Sequence, residues 1–108
     1  MRVLITGGAG FLGLHLARFF HTKKWNIRIL DIAHFPEEEY PEGTEYLQGD
    51  VRDYENVNLA IKGCDVVIHA AAALPLRSGS EIMSTNVDGT RNVLEESLKQ
   101  KMVRVVYI

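Results

Sequence analysis

A doubly wound, parallel α/β sheet is the fold class that the sequence predicts, and three observations predict it. Short apolar runs alternate along the chain with segments of helical periodicity. The runs are apolar at successive residues rather than at every second one, as strands covered on both faces must be. The order strand, helix, strand, strand, helix, strand, helix, strand calls for right-handed crossovers and helices on both sides of the sheet. A length of 108 residues suffices for one small core. A composition of 46% apolar and 24% charged residues gives the balance of a globular chain.

The elements follow in order. Val3-Leu4-Ile5 is the first, buried strand. Phe11 to Lys23 has apolar residues at 12, 16, 19 and 20, a helical spacing, and Lys23 and Lys24 suit a helix C-terminus. Ile27 to Ile32 is the second strand. Residues 33–43 hold two prolines, a glycine and Glu37-Glu38-Glu39, so they read as a surface loop whose acidic run is solvated. Glu45 to Gln48 is a third, less apolar strand, joined to the second by that loop and not by a helix. Asp53 can cap a short helix with Val57, Ala60 and Ile61 inside, stopped by Gly63. Asp65 to His69 is the fourth strand. Ser80 to Lys101 reads as one long amphipathic helix with Ile82, Met83, Val87, Val93, Leu94 and Leu98 inside. Val103 to Ile108 is the fifth strand.

Several function classes are disfavoured. A net charge of −2 with no basic stripe argues against a nucleic-acid partner. The single cysteine, Cys64, rules out an internal disulfide and a Cys-rich zinc site; it reads as a small buried apolar residue. A cytoplasmic location fits. Glycines interrupt the first apolar stretch too early for a signal peptide, and no run reaches the ~18 apolar residues of a membrane span. His15, His21, His34 and His69 show no metal-ligand spacing, so no metal is expected.

The stretch LITGGAGFLGLHLARFF, residues 4–20, carries the chemistry. Gly7, Gly8, Gly10 and Gly13 fall between a strand and a helix. A helix N-terminus offers unpaired N–H groups and partial positive charge, and a diphosphate reaches them only where side chains are missing. Gly8-x-Gly10-x-x-Gly13 has the spacing of a dinucleotide site. Gly13 lies inside the helix, where glycine is costly unless the helix packs closely on the sheet. Asp31 ends the next strand 18 residues later, placed to accept hydrogen bonds from the adenosine ribose. Its charge would repel a 2′-phosphate, and no Arg or Lys lies in 32–36 to offset it, so NAD is expected over NADP. The phosphate-loop pattern GxxxxGK[ST] is absent.

Five pieces together resemble the N-terminal part of an extended short-chain dehydrogenase/reductase, the NAD-dependent epimerase/dehydratase group. They are TGGAGFLG (6–13), LDI (30–32), GDVRD (49–53), VVIHAAA (66–72) and NVDGTRNVLE (86–95). The resemblance implies a Rossmann-like NAD(P) fold. Gly7, Gly10 and Gly13 would form the diphosphate loop, with Phe11 and Leu12 offering N–H groups. Asp31 would hold the ribose, Asp50 and Val51 would meet the adenine, and Ala70, Ala71 and Ala72 would line the cofactor. Asn86 resembles the helix asparagine that supports the active site.

The family's Tyr-x-x-x-Lys pair is absent. Tyr40, Tyr46 and Tyr54 are followed four residues on by Thr44, Asp50 and Asn58, and Tyr107 has one residue after it. Its serine or threonine partner is also missing; Ser78, Ser80 and Ser84 do not stand in the matching place. Residues 1–108 are therefore expected to be the N-terminal dinucleotide-binding part of a longer domain, stopping after about five strands. They should be inactive alone. The parent would be an enzyme acting by transient hydride transfer to NAD, with a small-molecule substrate, foremost a nucleotide sugar, and assembling as a homodimer. Two alternatives are a hydroxy/keto oxidoreductase of a sterol-like or other small alcohol, and a non-catalytic NAD-sensing module.

Overall fold

The computed structural model describes residues 1–34, 36–71, 79–102 and 104–108. Ala72 and Ser78 lie outside the described residues, as do the side chains of Ile82 and Ser84. Five strands form one sheet: β1 (Arg2–Thr6), β2 (Asn26–Asp31), β3 (Glu45–Gln48), β4 (Val66–His69) and β5 (Arg104–Tyr107). The spatial order is β3-β2-β1-β4-β5 and every pair is parallel. That order, with β1 central and the direction of winding reversing after β3, is the Rossmann arrangement.

Both faces are covered, which is why the strand residues are apolar without alternation. Val3, Ile5, Ile27, Ile29, Val66 and Ile68 face one side, where Ala17 of α1 (Phe11–Thr22) packs on them. Leu4, Leu30 and Val67 face the other, against Val57, Ala60 and Ile61 of α2 (Tyr54–Ile61) and Val93 of α4 (Thr90–Lys99). No helix joins β2 to β3. Tyr40, buried on the α1 side, anchors that connection instead, and its hydroxyl donates to Gly8 O. Glu37–Glu39 form only a short, exposed 3-10 turn.

Asp53 caps α2 as its side chain leads one to expect, accepting from Glu55 N at 3.0 Å, and Gly63 follows the helix at φ +80°. Arg28 finishes the job. It reaches under α2 and donates to Ala60 O at 2.8 Å, while Arg28 and Arg2 flank Glu45 at 3.3 and 3.2 Å. A guanidinium suits a carbonyl at a helix C-terminus, where the helix's own N–H groups run out. Arg28→Met should keep the packing of the stem and lose the cap, lowering stability by about 2 kcal/mol. Urea unfolding would measure it; a loss below about 0.5 kcal/mol would leave the cap without weight.

Two helices differ from expectation. α1 buries Gly13 and Ala17, while Leu12 and Phe19 are exposed. Small residues face the sheet here because the helix sits close to it. The long helix expected over Ser80–Lys101 is divided. A short α3 (Gly79–Met83) leads into a π-helical turn (Ser84–Gly89), and α4 continues from it. A π turn takes an extra residue, about 100° of rotation, so the inner face moves off the straight-helix pattern. Met83, Val87, Leu94 and Leu98 are exposed; Val93 is buried as expected, with Glu96 and Ser97 beside it.

Candidate functional site

All strands point the same way, so Thr6, Asp31, Gln48, His69 and Tyr107 end them along one edge. Ligands of open α/β sheets bind at this edge, where the winding reverses. The glycine turn lies there, between β1 and α1. Gly7 takes φ +70° and donates to Leu30 O at 2.8 Å. A Cβ on Gly7 would lie 2.9 Å from Ala71 Cα and N, and one on Gly13 would lie 2.4 Å from Gly8 Cα and O. Gly8 is held as tightly, a Cβ there falling 2.5 Å from Ile29 Cγ2.

Gly10 is different. A Cβ there would meet only Gly7 O, at an ordinary 3.5 Å, and the residue is exposed. Packing inside the chain does not demand this glycine; clearance for something outside would. It is the N-cap of α1, without a side-chain cap or an acid in the first turn. The N–H groups of Phe11, Leu12 and Gly13 have no acceptor within a helix of this geometry. The Phe11 side chain stands out in solvent against the His15 ring, so what Phe11 offers the turn is its backbone.

Asp31 closes the other side of the turn. Its Oδ2 accepts from Ala9 N at 2.9 Å and its Oδ1 from Ala33 N at 2.8 Å. The carboxylate is thus oriented by two amides and keeps lone pairs for further donors. Tyr40 and Tyr46 pack beside it. Burial first, then the Asp31 charge, pushes both phenols above their usual range. Tyr46 donates to Ala33 O.

At the end of β3, Arg52 grips Asp50 with its own backbone N–H (2.9 Å), Nε (2.9 Å) and Nη2 (2.6 Å). Asn92 of α4 holds the same turn, donating to Val51 O and Arg52 O at 3.0 Å each. The Val51 side chain is in the core, and Gly89 of the π turn fits over it so closely that a Cβ on Gly89 would lie 2.5 Å from Val51 Cγ2.

Ala70 and Ala71 follow β4 and border Gly7, half-buried. Their amides donate to Thr6 Oγ1 at 3.1 and 3.2 Å. Thr6 Oγ1 lies 2.6 Å from His69 Nδ1, and His69 Nε2 lies 3.0 Å from Thr90 Oγ1. His69 is thus satisfied at both ring nitrogens, and desolvation holds its pKa below the usual value. Asn86 sits on the π turn with its Oδ1 buried and unpartnered among the described residues. π turns and unmet buried polar atoms both concentrate at working sites.

The structure thus brings Gly7, Gly10, Phe11, Leu12, Gly13, Asp31, Ala70 and Ala71 to one turn, with Asp50 and Val51 at the neighbouring strand end. Thr6, Tyr40, Arg52, Thr90 and Asn92 support it and were missed; Arg52 is local to Asp50, but the other four have partners far along the chain, which no local pattern marks. No group of His, Cys, Asp and Glu among the described residues could hold a metal. Cys64 is buried, its thiol pushed up to about 11 by burial, and so is unreactive. No described helix is long and apolar enough to cross a membrane.

Residues 4–108 match the model of the 3-beta hydroxysteroid dehydrogenase/isomerase family. The short-chain dehydrogenase/reductase family 42E member 1 of Xenopus laevis is 34% identical over 111 residues, covering 97% of this chain and 28% of that protein. The chain therefore spans about three tenths of the length of the curated relatives it matches. Among solved structures, the UDP-glucose 4-epimerase of Thermus thermophilus in complex with NAD aligns with a TM-score of 0.86 and 29% identity, over 97% of this chain and 36% of that one. The Bordetella bronchiseptica enzyme WbmG in complex with NAD and UDP aligns with a TM-score of 0.87 and 32% identity, over 99% and 36%.

Proposed function

Since the chain belongs to the 3-beta hydroxysteroid dehydrogenase/isomerase family, among the extended short-chain dehydrogenases/reductases, we propose that it is the NAD-binding portion of an enzyme that oxidises a secondary alcohol. The observation that carries this is the uncapped α1 N-terminus, approached across Gly10, with the Asp31 carboxylate fixed on the same turn. NAD, bound there, would supply the hydride acceptor. The N–H groups of Phe11, Leu12 and Gly13 would receive its diphosphate. Asp31 would accept from the adenosine ribose hydroxyls. Asp50, aimed by Arg52, would accept from the adenine amine, and Val51 would contribute its backbone. Ala70 and Ala71 would let the cofactor lie close to the end of β4, and Asn86 would support the reacting centre from the π turn.

Three of the chain's four phenols are engaged in structure. Tyr40 and Tyr46 donate to backbone carbonyls. Tyr54 does meet a lysine, accepting from Lys99 Nζ at 2.9 Å, but its proton is given to Glu96 between α2 and α4. The 108 residues alone would hold NAD without turning it over.

For the substrate, two readings stand on different observations. A nucleotide sugar is supported by the likeness to WbmG, whose structure contains UDP as well as NAD. A sterol-like alcohol is supported by the family model. Offering the full-length protein UDP-sugars and 3β-hydroxysteroids in parallel separates them: a steroid alcohol oxidised to its ketone accumulates NADH, whereas transient hydride transfer regenerates NAD and is read as conversion of the sugar itself. NAD binding with no turnover of either would favour a sensing role.

The cofactor reading has its own test. Asp31→Arg should weaken NAD at least about tenfold and shift preference toward NADP. Calorimetric titration of both dinucleotides would show it. An unchanged preference would place the ribose elsewhere.

A further inference from the structure

The hydrogen bonds between the glycine turn, β4 and α4 favour one arrangement of protons. The Thr6 hydroxyl accepts from the Ala71 amide at 3.2 Å and from the Ala70 amide at 3.1 Å, the latter shared with the Thr6 carbonyl at 3.2 Å. Its hydrogen is then left for His69 Nδ1 at 2.6 Å, which must be bare to accept it. A neutral imidazole with bare Nδ1 carries its hydrogen on Nε2, and that nitrogen faces Thr90 Oγ1 at 3.0 Å. The other tautomer, or an imidazolium, would set a third donor against Thr6 Oγ1 and leave the hydroxyl hydrogen without an acceptor. Thr6 and His69 are 0% and 2% exposed, so water cannot make good the loss.

What these bonds hold is the segment that touches the turn. Ala71 is the residue a Cβ on Gly7 would strike. The amides of Ala70 and Ala71 are fixed through the same Thr6 that precedes Gly7. Thr90 is the first residue of α4, directly after the π turn that carries Asn86.

We propose that His69, as the neutral Nε2–H tautomer, is a positioning residue for the dinucleotide. It aims the Thr6 hydroxyl so that the end of β4 is held against the diphosphate turn, and it ties both to the start of α4. The inference rests on the dinucleotide reading above. Protonating His69 would remove the acceptor for Thr6 and loosen the turn. Among the described residues, the groups facing it are the Thr6 hydroxyl from β1, the Thr90 hydroxyl from α4 and the Tyr107 ring from β5, 5.7 Å away; none of these is an Asp, Glu, Lys or Arg. His15, against the Phe11 ring, is a second histidine beside the turn, and the His69→Asn variant separates the two.

The test uses the full-length protein, with NAD titrated calorimetrically from about pH 8 down to about pH 5. Stability of each variant is followed in urea at the same pH values. His69→Leu should weaken NAD about tenfold, the equivalent of one lost hydrogen bond. His69→Asn places an amide oxygen where Nδ1 accepts and cannot titrate. It should recover most of the affinity and flatten the acid loss seen in the wild type. Should His69→Leu fail to fold, the nitrogen resonances of His69 in the wild type still decide the tautomer, and Nε2–H is expected. An Nδ1–H tautomer overturns the inference. So does an acid loss that persists unchanged in His69→Asn, or NAD binding by a folded His69→Leu equal to that of the wild type. A wild type that binds no NAD at any pH overturns the dinucleotide reading instead.

Discussion

Gly13→Ala is expected to abolish dinucleotide binding and to lower stability by about 2 kcal/mol. Two effects oppose each other. Alanine is the better helix former, by about 1 kcal/mol. Against this, the new methyl would sit 2.4 Å from Gly8 Cα and O and 2.5 Å from Gly8 C. Those are backbone atoms, and they cannot simply retreat, because Gly8 is itself pressed on the Ile29 side chain. Overpacking of this kind costs about 3 kcal/mol, so the clash wins. Relief would come from lifting the first turn of α1, which carries the N–H groups of Phe11, Leu12 and Gly13 away from the anion site. Urea unfolding and NAD titration of the variant test both halves. A variant stabilised by about 1 kcal/mol, as for an exposed helix glycine, would mean that α1 is not seated on the turn.

The second large effect is acid lability centred on Glu96. This residue is fully buried, yet its carboxyl titrates far down, at about 2 against an ordinary 4.5. The main cause is the hydrogen bond from the Tyr54 hydroxyl, itself backed by Lys99; burial works against it, and Asn58 and Gln100 add donors at 3.0 Å each. A carboxyl depressed in the folded state favours folding while it is ionised. Its contribution is complete above pH 4.5, the unfolded value, and is lost as pH falls from 4.5 toward about 2. Glu96→Gln should be less stable at neutral pH by about 2 kcal/mol, since the new amide brings a donor where donors already converge. It should also lose the steep acid slope. Urea midpoints at stepped pH would show a wild-type curve falling through that window and a flatter variant. Parallel curves would assign the acid response to another group.

The architecture was legible because the central strands are runs of aliphatics, Val3 to Ile5 and Val66 to Ile68, and helices separate most of the strands. The Asp53 cap and Gly63 were legible because each acts on its own neighbours. Three features were not. Val93 was legible on the inner face of α4, but Glu96 and Ser97 in place of Leu94 and Leu98 escaped, because the π turn shifts phase and hydropathy periodicity assumes a constant pitch. Glu96 escaped because a carboxylate counts as outward-facing until its donors are known, and two of them lie on α2. The support of Asp50 escaped for a similar reason. Arg52 stood in plain view two residues on, but Asn92, which fixes the turn, arrives from another helix. What recurs locally can be read from the chain; what is assembled across it cannot.

The central place of β1 has a consequence for biosynthesis. The first five-residue strand to be translated is the one that every layer of the sheet is built around. One of its neighbours, β2, follows quickly, with Arg2 paired to Asn26. The other is distant, with Val3 paired to Val66. Until β4 has left the ribosome, one edge of β1 carries unpaired amides and carbonyls, a template for any passing strand. Long-range parallel pairing is also slow to nucleate. The nascent chain is therefore most exposed to mispairing while residues up to about 70 are being made. An early helix, α1, covers one face of the lone strand during that interval, and the acidic stretch Glu37–Glu39 emerges within it. Cell-free synthesis stalled on either side of β4, followed by protease challenge, would show protection of β1 arriving late and in one step.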